Sequence, residues 1–146
     1  MHEHAPATSS RVQVRPSPVR TILVVDNDEG VRGAMCRILR TAGYRVIPAG
    51  QGMLAHRCLE DASTRVDLIV TELLPPAPDG FHLGIPYGWR RATTPVLFTS
   101  RAPREWNIRE GLLDPRAAFL RRPFPPRDLV RAVRDTLAAW RELPAA

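Results

Sequence analysis

Short, mainly apolar runs alternate with longer segments of helical periodicity over most of the chain. Each run is six or seven residues long and is followed by polar or turn-forming residues, which is typical of strands buried in a parallel sheet. The predicted strands are residues 21–26, 44–49, 66–72, 95–100 and 117–122. The second run is the weakest, because Pro48 has no N–H to donate to a neighbouring strand.

The segments between these runs place their apolar residues on one helical face. This pattern predicts helices over residues 29–43, 52–61, 104–113 and 125–143, with Gly43 as the stop of the first. A further helix after Asp79, the third in chain order, should be short or broken, because Gly84, Pro86 and Gly88 interrupt it. Strands that alternate with helices predict right-handed crossovers and an α/β fold with a doubly wound, five-stranded parallel sheet.

Polar residues stand at the carboxyl ends of four predicted strands. They are Asp26, Glu72, Ser100 and Arg122. In an open α/β sheet the ligand site lies beyond this edge, so we expect these four side chains to converge. Two further acids follow Asp26. Asp28 and Glu29 fit the cap and the start of the first helix, where negative charge is favoured.

Charge and composition narrow the class of protein. All 21 basic residues are Arg, the formal net charge is +6, and acidic partners are therefore expected, although a basic balance alone is weak evidence for nucleic-acid binding. No run approaches a membrane span and the N-terminus lacks the apolar core of a signal peptide, so we expect a cytoplasmic protein. Residues 1–18 are rich in Pro, Ser and Ala and predict a disordered tail before one folded domain over residues 19–143.

Four segments together resemble the receiver domain of bacterial two-component response regulators, which has a flavodoxin-like fold. They are "ILVVDNDEGVR", "DLIVTELLPPAPDGF", "PVLFTS" and "FLRRPF". In that family two acids end the first strand, an Asp ending the third accepts a phosphoryl group, and a Thr or Ser ends the fourth. A Lys precedes a Pro after the fifth strand, and the resemblance implies a cis bond between Arg122 and Pro123.

Each of these family positions is found in the sequence, but three are changed. Asp26 matches the first acid, Asn27 the second, Glu72 the phosphoacceptor, Ser100 the hydroxyl, Phe119 an aromatic switch residue and Arg122 the Lys. The amide of Asn27 lacks the charge that a hard dication requires, so Mg²⁺ binding at Asp26 should be weak or absent. Glu72 reaches about 1.5 Å further than Asp, and Arg122 offers a planar fork suited to bidentate pairing with it.

These changes predict an atypical, stand-alone receiver that is not an enzyme, requires no cofactor and signals without phosphorylation. One alternative is a receiver that still accepts phosphate with weak Mg²⁺ binding. Another follows from "VVDNDEGV", which also resembles haloacid-dehalogenase-type phosphatases with Asp26 as nucleophile and Asp28 as acid/base. That family needs a late acidic pair, where this chain has Arg121 and Arg122.

A basic stripe on the last predicted helix is the candidate interaction face. Arg127, Arg131 and Arg134 recur at helical spacing opposite the apolar side, with Arg104 and Arg109 on the preceding predicted helix. In the receiver family this region contacts partners and dimer mates, with the Ser100 and Phe119 positions coupling it to the pocket. We expect a signalling protein to bind there, either a histidine kinase or a partner with an acidic surface. A homodimer is a further option, and nucleic acid is a disfavoured competitor.

Overall fold

Five parallel strands form one sheet in the computed structural model, which describes residues 18–73 and 94–142. They are β1 (Thr21–Val25), β2 (Arg45–Ala49), β3 (Leu68–Glu72), β4 (Val96–Ser100) and β5 (Ala118–Arg121), and their order in the sheet is β2-β1-β3-β4-β5. The predicted sheet is confirmed. The predicted broken helix after Asp79 and nearly all of the predicted tail lie outside the described residues.

Four helices connect and cover these strands in the described part of the chain. They are α1 (Glu29–Thr41), α2 (Gly52–Glu60), α3 (Arg104–Arg109) and α4 (Pro126–Glu142). The first helix begins at Asp28, whose Oδ1 accepts the N–H of Val31 at 3.0 Å, and it is followed by Gly43 at a φ of 102°. None of the described helices has the length and apolar character needed to cross a membrane.

The prediction for α3 was too long. It ends at Arg109 instead of continuing to residue 113. The backbone N–H groups of Leu112 and Leu113 both donate to the carbonyl of Asn107, and Gly111 adopts a φ of 75°, which closes the helix in a turn that glycine favours.

Side chains alternate between the two faces of the sheet and form two apolar layers. Ile22 and Val24 of β1 belong to the cluster that α1 and α4 cover, whereas Leu23 and Val25 belong to the cluster beneath α2. The apolar stripe predicted for the last helix is buried, and its members are Leu129, Val133 and Leu137. Because both faces are covered, the strands are mainly apolar, and their polar residues lie at or next to their ends.

The carboxyl ends of β1, β3, β4 and β5 meet at one edge of the sheet. The register pairs Glu72 with Thr99 and Ser100 with Arg121. After β5, the N–H of Arg122 still donates to the carbonyl of Ser100 at 2.8 Å. The Arg122–Pro123 bond is cis, as predicted.

Candidate functional site

Arg122 lies at the centre of the site. Its side chain is 7% exposed, and its guanidinium contacts three strand ends. Nη2 donates to the carboxylate of Asp26, Nε donates to Thr99 Oγ1 at 3.0 Å, and Nη1 lies 3.6 Å from Glu72 Oε1. One side chain that follows β5 therefore joins the ends of β1, β3 and β4.

Asp26 is the most deeply buried acid of the site. Its side chain has no exposed surface, Oδ2 accepts from Arg122, and Oδ1 accepts the N–H of Asp28 at 2.9 Å. Removing an ionised carboxylate from water is costly unless it is paired and hydrogen-bonded, and both conditions are met here. Arg122 thus supplies the counter-charge for this buried carboxylate.

Glu72 is less buried and less closely paired. Its side chain is 16% exposed, and burial raises its pKa above the ordinary value, while Arg122 and then Arg101 act in the opposite direction. The bidentate pairing expected between Glu72 and Arg122 does not form. Arg122 divides its two terminal nitrogens between two acids, and of these two contacts only the one with Asp26 is a hydrogen bond.

The hydroxyl that contacts Arg122 belongs to Thr99, which the sequence analysis missed. Ser100 was predicted for the pocket and is indeed buried at the strand end, but its Oγ accepts the N–H of Ala102 at 3.0 Å in the following loop. Adjacent strand residues point to opposite sides, so only one of the two hydroxyls can face a given neighbour. The available signal was a Thr inside the apolar run "VLFTS", because a hydroxyl in a buried strand needs a hydrogen-bond partner.

Arg32 is a second residue that the sequence analysis missed. Its Nη1 donates to the backbone carbonyl of Asp26 at 2.7 Å, and a Cβ on Gly50 would come within 3.1 Å of the same nitrogen. A cation in the first turn of a helix opposes the helix dipole, which was a signal that Arg32 serves another contact. It fixes the backbone at the end of β1.

Phe119 and Asn27 complete the set of predicted residues. Phe119 lies in β5, half-buried and in register with Phe98, whereas the register places Ser100 beside Arg121. Asn27 follows Asp26 and is exposed. The proposed coupling of Ser100 to Phe119 stays a prediction.

Comparison with known proteins finds relatives in plants and bacteria. The two-component response regulator-like protein PRR73 of rice, Oryza sativa, is 41% identical over 68 residues, which are 45% of this chain and 9% of that protein. Protein PetR of Rhodobacter capsulatus is 30% identical over 116 residues, which are 80% of this chain and 48% of PetR. No protein-family model matches the chain.

Solved receiver structures share the fold of this chain. A response regulator receiver protein from Sinorhizobium medicae has a TM-score of 0.65 at 23% identity, and the match covers 84% of this chain and 97% of that structure. This chain is a receiver domain of the response-regulator type. The receiver spans less than half the length of the two curated relatives.

The family positions of this receiver do not fit Mg²⁺ as they are arranged. Both oxygens of Asp26 are already bonded, the neighbouring ligand position is the amide of Asn27, and a guanidinium lies against the remaining carboxylate. Within the described residues, no group of three or more Asp, Glu, His or Cys side chains could hold a metal ion. A hard dication requires several oxygen ligands, and a fixed cation beside those ligands repels it.

The same contacts bear on the phosphatase alternative. Its acid/base would be Asp28, but Asp28 Oδ1 caps the first helix of the receiver through the N–H of Val31. Its nucleophile would be Asp26, which is paired with Arg122. These two geometries give the phosphatase hypothesis no support.

The basic stripe on α4 is exposed, as predicted. Arg127, Arg131 and Arg134 all face solvent, opposite the buried apolar side of this helix. Arg104 does not extend the stripe, because Nη1 donates to the carbonyl of Ala117 and Nη2 to that of Pro115. Its role is to hold the loop before β5.

Proposed function

We propose that this receiver is a signalling module that acts through protein contacts without accepting a phosphoryl group. The observation that carries the proposal is the position of Arg122, whose guanidinium lies between Asp26 and Glu72. The phosphoacceptor position thus holds a carboxylate that is already ion-paired within the chain.

The geometry of Glu72 supports the same proposal. Its carboxylate is about one C–C bond, ~1.5 Å, further from the backbone than that of Asp, and in-line transfer is sensitive to displacements of this size. Burial also raises the pKa of Glu72, which means that its surroundings disfavour the ionised carboxylate that acts as a nucleophile.

The contacts of Arg122 suggest how the domain works instead. They join the ends of β1, β3, β4 and β5 through two hydrogen bonds, to Asp26 and Thr99, and an ion pair with Glu72. A pocket held in this way has one arrangement that does not depend on phosphorylation. We propose that another signalling protein, such as a histidine kinase or a protein with an acidic surface, recognises that arrangement constitutively.

Acetyl phosphate labelling tests the proposal directly. The purified protein is incubated with acetyl phosphate and MgCl₂ and examined by intact mass spectrometry beside Glu72→Gln. We expect no phosphoryl adduct on either protein, because Glu72 is ion-paired and displaced. An adduct on the wild type that is lost in Glu72→Gln would overturn the proposal.

A further inference from the structure

We infer that Arg122 is the resident cation of the pocket: its guanidinium takes the place of a divalent ion between Asp26 and Glu72 and excludes such ions. The inference concerns the same pocket as the proposed function and deepens it. It rests on that proposal in one respect: the contacts of the pocket are taken to form in the protein that carries no phosphoryl group.

Burial requires a cation at this point of the structure. The carboxylate of Asp26 has no exposed surface and that of Glu72 is 16% exposed. Among the described residues, the ion pairs of both acids are made with Arg122. Without that guanidinium, neither acid would keep an ion pair within the described residues, and a buried carboxylate without a counter-charge is costly.

The contacts of the guanidinium hold it in this position. Nη2 and Nη1 face the two acids, and Nε donates to the fully buried hydroxyl of Thr99. Each of its three nitrogen atoms therefore has a partner, and the three partners lie at the ends of three different strands. A fork fixed in this way cannot swing aside to admit an ion without losing all of these contacts.

The charge balance of the pocket leads to the same conclusion. Two carboxylates and one guanidinium leave a net charge of −1, whereas the carboxylates alone would carry −2. A dication entering the pocket as it stands would lie beside a fixed positive charge, and Asn27 supplies no compensating negative charge. Loss of the guanidinium charge should therefore turn the pocket into a divalent-cation site.

The first test uses the wild-type protein and Mn²⁺ as a paramagnetic probe. Backbone amide signals are followed by NMR while MnCl₂ is added into the millimolar range. We expect no selective broadening of residues near Asp26 and Glu72. Selective, saturable broadening of those signals would overturn the inference, and it would do so whether or not Glu72 accepts phosphate.

The second test removes the charge while keeping a side chain of similar length. Thermal unfolding of Arg122→Met is measured in MgCl₂ and in NaCl of matched ionic strength, with Arg37→Met as the control for loss of one exposed Arg. We expect Arg122→Met to melt several degrees below the wild type and to regain part of this loss in MgCl₂ only. The wild type and Arg37→Met should respond equally to both salts.

A double variant shows whether the recovery comes from the pocket. Adding Asp26→Asn to Arg122→Met removes one ligand and should abolish the recovery in MgCl₂. A folded Arg122→Met without any Mg²⁺-specific recovery would contradict the inference. If Arg122→Met does not fold, the Mn²⁺ titration of the wild type decides. Failure of the proposed function appears separately, as phosphoryl transfer to Glu72.

Discussion

Arg122 and Glu72 meet across the end of β4, with Nη1 3.6 Å from Oε1. Glu72 ends β3 and Arg122 follows β5, and these two strands are not neighbours in the sheet. The contact depends on two long side chains, one from each side. An Asp at position 72 would end about one C–C bond, ~1.5 Å, short of its present reach. The two departures from the receiver pattern, Glu for Asp and Arg for Lys, are therefore physically matched.

The first prediction concerns the pH dependence of stability at Glu72. Burial raises its folded-state pKa above the ordinary value near 4.5, so folding disfavours the ionised form. The wild type should lose stability, relative to Glu72→Gln, as the pH rises from about 4.5 through the raised pKa, and the difference should then stay constant. Urea unfolding of both proteins from about pH 4 to about pH 8 measures this difference in the free energy of unfolding. A relative gain of wild-type stability with pH would mean that the attraction to Arg122 outweighs burial.

The second prediction concerns the buried hydroxyl of Thr99. Thr99→Val keeps the shape of the side chain but removes the acceptor of the Arg122 Nε–H bond, so a buried donor loses its partner. We expect a loss of about 1–3 kcal/mol in the free energy of unfolding, measured with urea. Thr99→Ser keeps the hydroxyl and should retain the hydrogen bond, losing only the packing of one methyl group. Equal destabilisation by Val and Ser would show that packing, and not the hydrogen bond, is what Thr99 contributes.

The fate of the two neighbouring hydroxyls shows how far the sequence could predict this site. Strand-end positions alone placed Asp26, Glu72 and Arg122 at one edge, because parallel strands must end together. The choice between Thr99 and Ser100 depended on which side of β4 faces Arg122. When a strand is apolar on both sides, its sequence does not show which side chains point to which side of the sheet. Side-chain direction was the missing information.

The fold itself was largely predictable for a related reason. Runs such as β1 are apolar on both faces and are bounded by polar residues, so their existence and their parallel pairing follow from the pattern. The error was in α3, where apolar residues at Leu112 and Leu113 extended the helical pattern beyond its true end. Those residues are held by backbone bonds to Asn107, and periodicity cannot distinguish such a turn from another turn of helix.

The third prediction concerns restoration of the phosphoacceptor. Glu72→Asp alone should restore little labelling by acetyl phosphate, because Asn27 still withholds a metal-binding charge. The double variant Glu72→Asp/Asn27→Asp should be labelled more, since it supplies both the shorter acceptor and the second acid. Intact mass spectrometry compares the two under the same MgCl₂ concentration. Equal labelling of the single and double variants would contradict the argument.

The last prediction concerns the basic stripe of α4, which we propose as the surface that binds an acidic protein partner. Arg127, Arg131 and Arg134 are exposed and lie on one side of a helix whose other side is buried in the core. Reversing their charges with Arg127→Glu/Arg131→Glu/Arg134→Glu should therefore leave the fold intact and weaken binding mainly through the association rate. Binding by the wild type should also weaken as salt is added, because exposed charges are screened.

Capture from lysate, with and without nuclease, separates an acidic protein from nucleic acid as the ligand of this stripe. The matched control is Arg37→Glu/Arg45→Glu/Arg57→Glu, which makes the same change in net charge at exposed positions elsewhere. A protein that resists nuclease, binds the wild type and the control, and is lost from the α4 variant supports the proposal. Loss of nucleic acid alone favours the competitor, for which affinity should fall steeply with salt and show little sequence preference. Equal loss in both triple variants would mean that net charge, and not the stripe on α4, determines binding.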